Sequence, residues 1–336
     1  MNKKEEGINE SVLKMKLIST KIIIIIVAFS LLFSLLTSIS MLTLNVFGWN
    51  NSTTITKAYV WNTEPNVTHV TISPSPLTLT AGTTSTLNCT AHVWDYNGWN
   101  DVNVSKAVFY RVGTDYAAED DNNNHYTIQD YATDCKCVQE GSSPTNASCT
   151  CSFDIWYYAY DGNWICNITV TDRGGEAIER EFYLNASNSA SVTINKLIAI
   201  DVPEDIDYGN LSVTETSSEK VANIINFGNT EINVSVRAYG GTTDPSNPNN
   251  SALNCELGYI PLQYERYSLS SGTAFNIMTS VTNESQYIQG LKIPIRTNDT
   301  AYGDDLQPTY WKLNVPLSVG GICNGTLVFT AEEDSG

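Results

Sequence analysis

Residues 135–151 read Cys135-Lys-Cys137-Val-Gln-Glu-Gly-Ser-Ser-Pro144-Thr-Asn-Ala-Ser-Cys149-Thr-Cys151. The two Cys-x-Cys pairs share one midpoint, so an antiparallel hairpin sets Cys135 opposite Cys151 and Cys137 opposite Cys149. Strand alternation puts both pairs on one face and in one hydrogen-bonding class. Directly opposed Cβ atoms at non-hydrogen-bonded positions come close to disulfide distance. Gly141-Ser-Ser-Pro144 supplies the turn at the centre. A four-thiolate zinc site fits the same spacing, but an oxidising compartment favours disulfides. The stretch therefore predicts a doubly stapled hairpin.

Outward from the hairpin, Cys89 is left to pair with Cys166, and Cys255 with Cys323. All eight cysteines lie beyond a single long apolar run, which is where an exported chain would carry disulfides. From Ile22 to Leu44 there is no charged residue. As a helix those residues would rise about 34 Å, enough for a hydrocarbon core of roughly 30 Å. Lys3, Lys4, Lys14, Lys16 and Lys21 precede the run and the next lysine is Lys57. That bias keeps the N-terminus cytoplasmic and sends the rest outside. The length favours an uncleaved single-pass signal anchor; a signal peptide cut near Ser38-Ile39-Ser40, giving a secreted protein, is the alternative.

The formal charge is −18, with +2 in residues 1–21 and hence −20 beyond them. Such an acidic chain lacks the basic patches that nucleic acid or anionic lipid would require. Charged residues are only 16% of the whole, and no 3.6-residue apolar period persists after residue 50. Alternation and Gly/Asn/Pro punctuation dominate, which is the pattern of an all-β protein. Asn-x-Ser/Thr occurs at Asn50, Asn51, Asn66, Asn88, Asn103, Asn146, Asn167, Asn185, Asn210, Asn233, Asn249, Asn283, Asn298 and Asn324. This density exceeds chance for the composition and predicts a glycosylated surface.

These signals divide the chain into a basic cytoplasmic N-terminus (1–21), the transmembrane segment (22–44), a stalk (45–64) and two β-sandwiches (65–188 and 190–333). In the first, prolines break an edge strand between Val67–Ile72 and Leu77–Thr80. Ser85–Val93 alternates Leu87, Cys89, Ala91 and Val93 on one face. Val102–Arg111 follows a turn at Asp95-Tyr-Asn-Gly98. Ile165–Val170 and Ile178–Leu184 close the sandwich around Asp172-Arg-Gly-Gly175. The second is expected to use Val192–Ile200, Val221–Phe227, Ile232–Ala238, Ile288–Ile295, Trp311–Leu317 and Leu327–Ala331. Phe227-Gly-Asn-Thr230 is read as the turn of a hairpin joining two of these.

The run Asp161-Gly-Asn-Trp164-Ile-Cys166-Asn-Ile-Thr-Val-Thr-Asp172 resembles the late-strand motif of immunoglobulin-like domains. In that family an early and a late cysteine join the two sheets, the placement of Cys89 and Cys166. Trp164 stands where the family has its corner tyrosine, whose hydroxyl bond an indole is not expected to reproduce. A strand-C tryptophan is missing, and Phe109 is expected in its space. Asn226-Phe-Gly-Asn-Thr230 with its following Val/Ser alternation resembles sandwich domains of archaeal-type surface proteins. Trp311-Lys-Leu-Asn-Val-Pro316 through Thr326-Leu-Val-Phe-Thr-Ala331 is similar to the last strands of TasA-type matrix-fibre subunits.

Catalytic constellations do not emerge. His69, His92 and His125 lack metal-ligand spacing, and neither HExxH nor GxSxG occurs. Ser217-Ser-Glu-Lys220 is a bare SxxK without its partner motifs. Glu119-Asp120-Asp121-Asn122-Asn123-Asn124, inside an insertion at Gly113–Asp134, offers oxygen ligands suited to Ca²⁺ but lacks EF-hand spacing, so a solvated loop is expected. Trp156-Tyr157-Tyr158-Ala-Tyr160 alternates, which would set Trp156, Tyr158 and Tyr160 in one row able to stack on sugar rings or to fill a core. The expectation is a non-enzymatic cell-surface protein, structural or adhesive, without cofactor, associating with itself, envelope proteins or glycans. A ligand-binding ectodomain for glycans or a partner protein is the alternative.

Overall fold

The computed structural model describes residues 16–32, 34, 53–58, 60, 62–173, 183–244, 250–297 and 301–334. The chain forms two units, Met1–Val60 and Trp61–Gly336. In the first, helix α1 covers residues 16–32 and exposes all its described side chains. It already includes residues 16–21, ahead of the expected segment, because Lys16–Lys21 are themselves compatible with a helix. Residues 33 and 35–44 of the expected transmembrane segment lie outside the described residues. Among the described residues no helix is long and apolar enough to cross a membrane.

The second unit is all-β. One sheet of its first half orders β1 (Asn66–Ser73), β2 (Thr84–Trp94), β6 (Asn146–Trp156) and β5 (Cys135–Gln139) as β1-β2-β6-β5. The facing sheet runs β4 (His125–Thr127), β3 (Val102–Arg111), β7 (Gly162–Arg173) and β8 (Tyr183–Ile194). Alternation builds the space between them. Leu87, Cys89, Ala91 and Val93 of β2 face Trp164, Cys166, Ile168 and Val170 of β7, all buried. The Cys89–Cys166 disulfide crosses from one sheet to the other with Cα atoms 6.6 Å apart.

At the edge of the first sheet, β5 and β6 pair with Cys135 opposite Cys151 and Cys137 opposite Cys149, and these cysteines join the same core. Both pairs are disulfides, with Cα–Cα 4.1 and 3.9 Å. Phe109 stacks on Trp164 at 4.9 Å and meets Phe153 at 5.8 Å. The expectation for the indole needs correction. Trp164 Nε1 donates to Tyr160 O at 2.8 Å, so it does bond the backbone just upstream, as a corner tyrosine would.

In the second half, β15 (Thr279–Ser280), β14 (Glu265–Ser268), β17 (Leu306–Leu313), β10 (Lys220–Asn226) and β9 (Ile200–Asp201) form one sheet, in that order. The other orders β13 (Tyr259–Pro261), β12 (Ser251–Leu257), β18 (Gly320–Glu333), β11 (Ile232–Gly240) and β16 (Gln286–Ile293). Cys255 and Cys323 face each other on β12 and β18 and are disulfide-bonded. Trp311, Ile224, Val234 and Ile293 are central to the core between the sheets.

Two strand expectations fail here. Val192–Ile200 is not a strand of the second sandwich: residues up to Ile194 belong to β8, paired with β7, because Val192 and Ile194 bury into the first core. That strand also runs through the expected 188/190 boundary. Phe227-Gly-Asn-Thr230 is not a hairpin turn either, since β10 and β11 lie in different sheets. The buried Asn226 side chain redirects the chain. Its Nδ2 donates to Thr230 O at 2.8 Å and Ile293 O at 3.1 Å, while its Oδ1 accepts Gly228 N at 2.8 Å.

Candidate functional site

The aromatic segment does not form a row. Strand β6 ends at Trp156, and a turn closed by Ala159 N to Trp156 O at 3.0 Å breaks the alternation. Trp156 is 37% exposed, whereas Tyr158 is 1% exposed and Tyr157 is also buried. Tyr160 is half-buried beneath the Arg111 guanidinium. Only Trp156 keeps an open ring, and its other face stacks against Tyr158 at 5.7 Å.

What buries the two tyrosines is the second sandwich. Tyr157 meets Phe227 at 5.3 Å, and Arg296 lies over the rings of Tyr158 and Tyr302. Burial raises the Tyr157 hydroxyl above its ordinary range although the Arg296 guanidinium pulls it down. Two asparagines fasten this seam. Asn123 Nδ2 donates to Tyr158 O at 3.0 Å and Arg296 O at 2.8 Å. Asn229 Nδ2 donates to Ala159 O at 3.0 Å and Asn195 O at 3.1 Å, and its Oδ1 accepts Leu197 N at 2.6 Å. Gly228 permits that approach, because a Cβ there would lie 2.3 Å from Leu197 O. The aromatic cluster is thus the joint between the sandwiches.

The acidic insertion spends its oxygens on itself. Asp121 Oδ1 accepts Asn123 N at 2.9 Å, and Oδ2 accepts Asn124 Nδ2 at 2.7 Å. Asp120 meets His125 Nδ1 at 3.2 Å and accepts Gln129 Nε2 at 3.1 Å. Ser217 Oγ accepts Leu313 N at 3.0 Å, which gives that buried hydroxyl a structural use. His69 and His92 meet as stacked neighbours across β1 and β2 at 4.1 Å, with Glu140 on His92 Nδ1 at 2.8 Å.

A different cluster went unnoticed in the sequence. Asp95, just past β2, Asp101, just before β3, and Asp172, near the end of β7, each offer a carboxylate oxygen within 4.8 Å of the others. Asp95 is 1% and Asp172 0% exposed. Asp95 Oδ1 accepts Asn97 N at 2.7 Å. Asp95 Oδ2, Asp101 Oδ1 and both Asp172 oxygens are buried without a hydrogen-bond partner. Burial, followed by the neighbouring carboxylates of Asp101 and Asp95, pushes the Asp172 carboxyl well above the usual range. In the sequence, Asp95-Tyr-Asn-Gly98 and Asp172-Arg-Gly-Gly175 both read as turns. The available signal was parity: Asp95 extends the inward row of Leu87–Val93, and Asp172 extends that of Trp164–Val170.

No family model matches the chain, and no curated protein matches it. Solved structures give faint likenesses. One is the chaperone-tip adhesion subunit pre-assembly complex CsuC-CsuE from archaic chaperone-usher Csu pili of Acinetobacter baumannii. It is 12% identical over 78% of this chain and 100% of that one, with TM-score 0.33. A chaperone-tip adhesin complex of CFA/I fimbriae biogenesis is 11% identical over 80% and 82%, with TM-score 0.28. The C-terminal domain of the Streptococcus agalactiae AgI/II polypeptide BspA is 11% identical over 80% and 96%, with TM-score 0.18. At these scores the likenesses carry no argument about activity.

Proposed function

We propose that the chain is a non-enzymatic cell-envelope protein, structural or adhesive, with two Ig-like sandwiches displayed at the cell surface. The observation that carries the reading is the state of the cysteines. All eight are paired, in four disulfides distributed over both sandwiches. Such staples belong to an oxidising compartment. The apolar run 22–44 and the lysines before it supply a route there, with the N-terminus cytoplasmic and the segment retained as an anchor. The sequons agree with that side: Asn66, Asn88, Asn103, Asn210 and Asn324 are exposed, and Asn146, Asn167, Asn233 and Asn283 are half-buried. Asn50, Asn51, Asn249, Asn298 and the side chain of Asn185 lie outside the described residues.

A contact role is favoured by the end of the second sandwich where β12 meets β18. Leu257, Tyr259, Leu317 and Ile322 are all more than half exposed there, beside the Cys255–Cys323 staple. Exposed apolar side chains gathered beside a rigid staple suit association. A fibre subunit, as the likeness of the last strands to TasA-type proteins implies, is the more specific form of the proposal. Intact cells labelled with a membrane-impermeant biotin reagent test the location: the chain should be labelled, and exclusion from the labelled fraction would refute it. Electron microscopy of the purified chain tests assembly, with regular fibres expected for a structural subunit and monodisperse particles for an adhesin. A mobility shift on enzymatic deglycosylation is expected as well.

A further inference from the structure

We propose that Asp95, Asp101 and Asp172 form a binding site for a divalent cation, and that the cation is Ca²⁺. Four carboxylate oxygens in this cluster are buried and lack any hydrogen-bond donor. A buried carboxylate left in that state is costly unless paired or metal-bound. Among the described residues no ion pair reaches the cluster. A shared proton could serve two of the four oxygens, because one O–H has one donor direction. It would leave the remaining oxygens unsatisfied.

A hard cation satisfies them together. Ca²⁺ takes oxygen ligands at about 2.3–2.6 Å, so two oxygens on one ion stand at most about 5 Å apart. The three carboxylates, all within 4.8 Å of one another, meet that limit. Oxygen-only donors favour Ca²⁺ or Mg²⁺ over zinc. Mg²⁺ requires nearly ideal octahedral geometry at about 2.0–2.1 Å, whereas Ca²⁺ tolerates irregular sets completed by carbonyls and water. Two aspartates from the β2–β3 connection and one from a strand end make an irregular set.

The location gives the ion a purpose. It would tie the β2–β3 connection to the end of β7, closing one end of the first sandwich. The same connection holds the incoming chain, since Thr63 N donates to Asn97 Oδ1 at 2.8 Å. Calcium would therefore stiffen the connection that holds Thr63 against the first sandwich.

The test uses the full chain in mild detergent, with thermal unfolding and calorimetric titration in EDTA, CaCl₂ or MgCl₂. Calcium should raise the unfolding temperature of the wild type and bind with one-site stoichiometry, and magnesium should bind at least tenfold more weakly. Asp172→Asn should lower calcium affinity at least tenfold. In EDTA it should unfold at a higher temperature than the wild type, because one of the clustered charges is gone. If that variant does not fold, Asp101→Asn, at the less buried corner, serves the same comparison. Coincident unfolding of the wild type in EDTA and calcium would overturn the proposal. So would a calcium response that survives the substitutions, which would place the ion elsewhere.

Discussion

Glu265 sits on β14, 5% exposed, with the Tyr208 hydroxyl donating to Oε1 at 2.8 Å. Burial pushes its carboxyl up to about 7, and the Tyr208 bond pulls only partly the other way. Burial, and then the adjacent Glu265, hold the Tyr208 hydroxyl well above its own ordinary range, so it remains a donor throughout. Near pH 4 Glu265 is protonated in both folded and unfolded chains, and its stability contribution is fully present. Between about pH 4.5 and 7 the unfolded chain releases the proton while the folded one keeps it, so stability falls as pH rises. Above about 7 both states are ionised and the loss is complete. A displacement of roughly 2.5 units corresponds to about 3 kcal/mol.

Other acids in this chain titrate as well, so the quantity to measure is the difference between wild type and Glu265→Gln. Glutamine preserves an acceptor for Tyr208 and removes the proton. Urea unfolding followed by tryptophan fluorescence should give similar stabilities near pH 4. By pH 8 the variant should be the more stable by about 3 kcal/mol, with the gap opening between pH 5 and 7. Parallel curves for the two proteins across that range would refute the reasoning, since they would mean that Glu265 titrates alike in both states.

Asn229→Ala removes three side-chain hydrogen bonds from the seam, one of them fully buried; a loss of about 3 kcal/mol is expected by calorimetry, with the two sandwiches unfolding more independently. Replacing Cys89 and Cys166 by Ala and Val opens a 77-residue separation and should cost about 4 kcal/mol in urea. Removing Cys137 and Cys149 alone should cost far less, because Cys135–Cys151 still closes the same hairpin. Trp164→Phe loses the bond to Tyr160 O and leaves a void beside Phe109; a thermal melt should show a loss of about 2 kcal/mol.

The hairpin and its disulfides were legible because a strand's period of two turns residue numbers into register. Knowing that Cys135 opposes Cys151 requires only the chain between them. The turn at Phe227–Thr230 was not legible for the opposite reason. A tight hairpin and a crossing between sheets use the same local residues. What decides is the contact of Asn226 with Ile293 O and of Asn229 with Ala159 O, both about seventy positions away. The aromatic segment failed in the same manner. Alternation past Trp156 assumed that the strand continues, yet the rings that end it are held by Phe227 and Arg296 of the other sandwich.

The aspartate cluster lies between these cases, because parity along two readable strands already points Asp95 and Asp172 inward. Reading Asp95-Tyr-Asn-Gly98 and Asp172-Arg-Gly-Gly175 as turns discarded that parity, since turns favour aspartate for reasons of their own. Two considerations separate the meanings. A turn aspartate accepts from the backbone two residues on, and Asp95 Oδ1 does so with Asn97 N. Its second oxygen, and both oxygens of Asp172, have no such partner. An inward row that ends on a carboxylate in two strands of facing sheets brings those charges together at one end of a sandwich. Chemistry then requires something between them. The parity of an inward row, followed past its last apolar residue, is thus a signal for a ligand that composition and motif spacing do not supply.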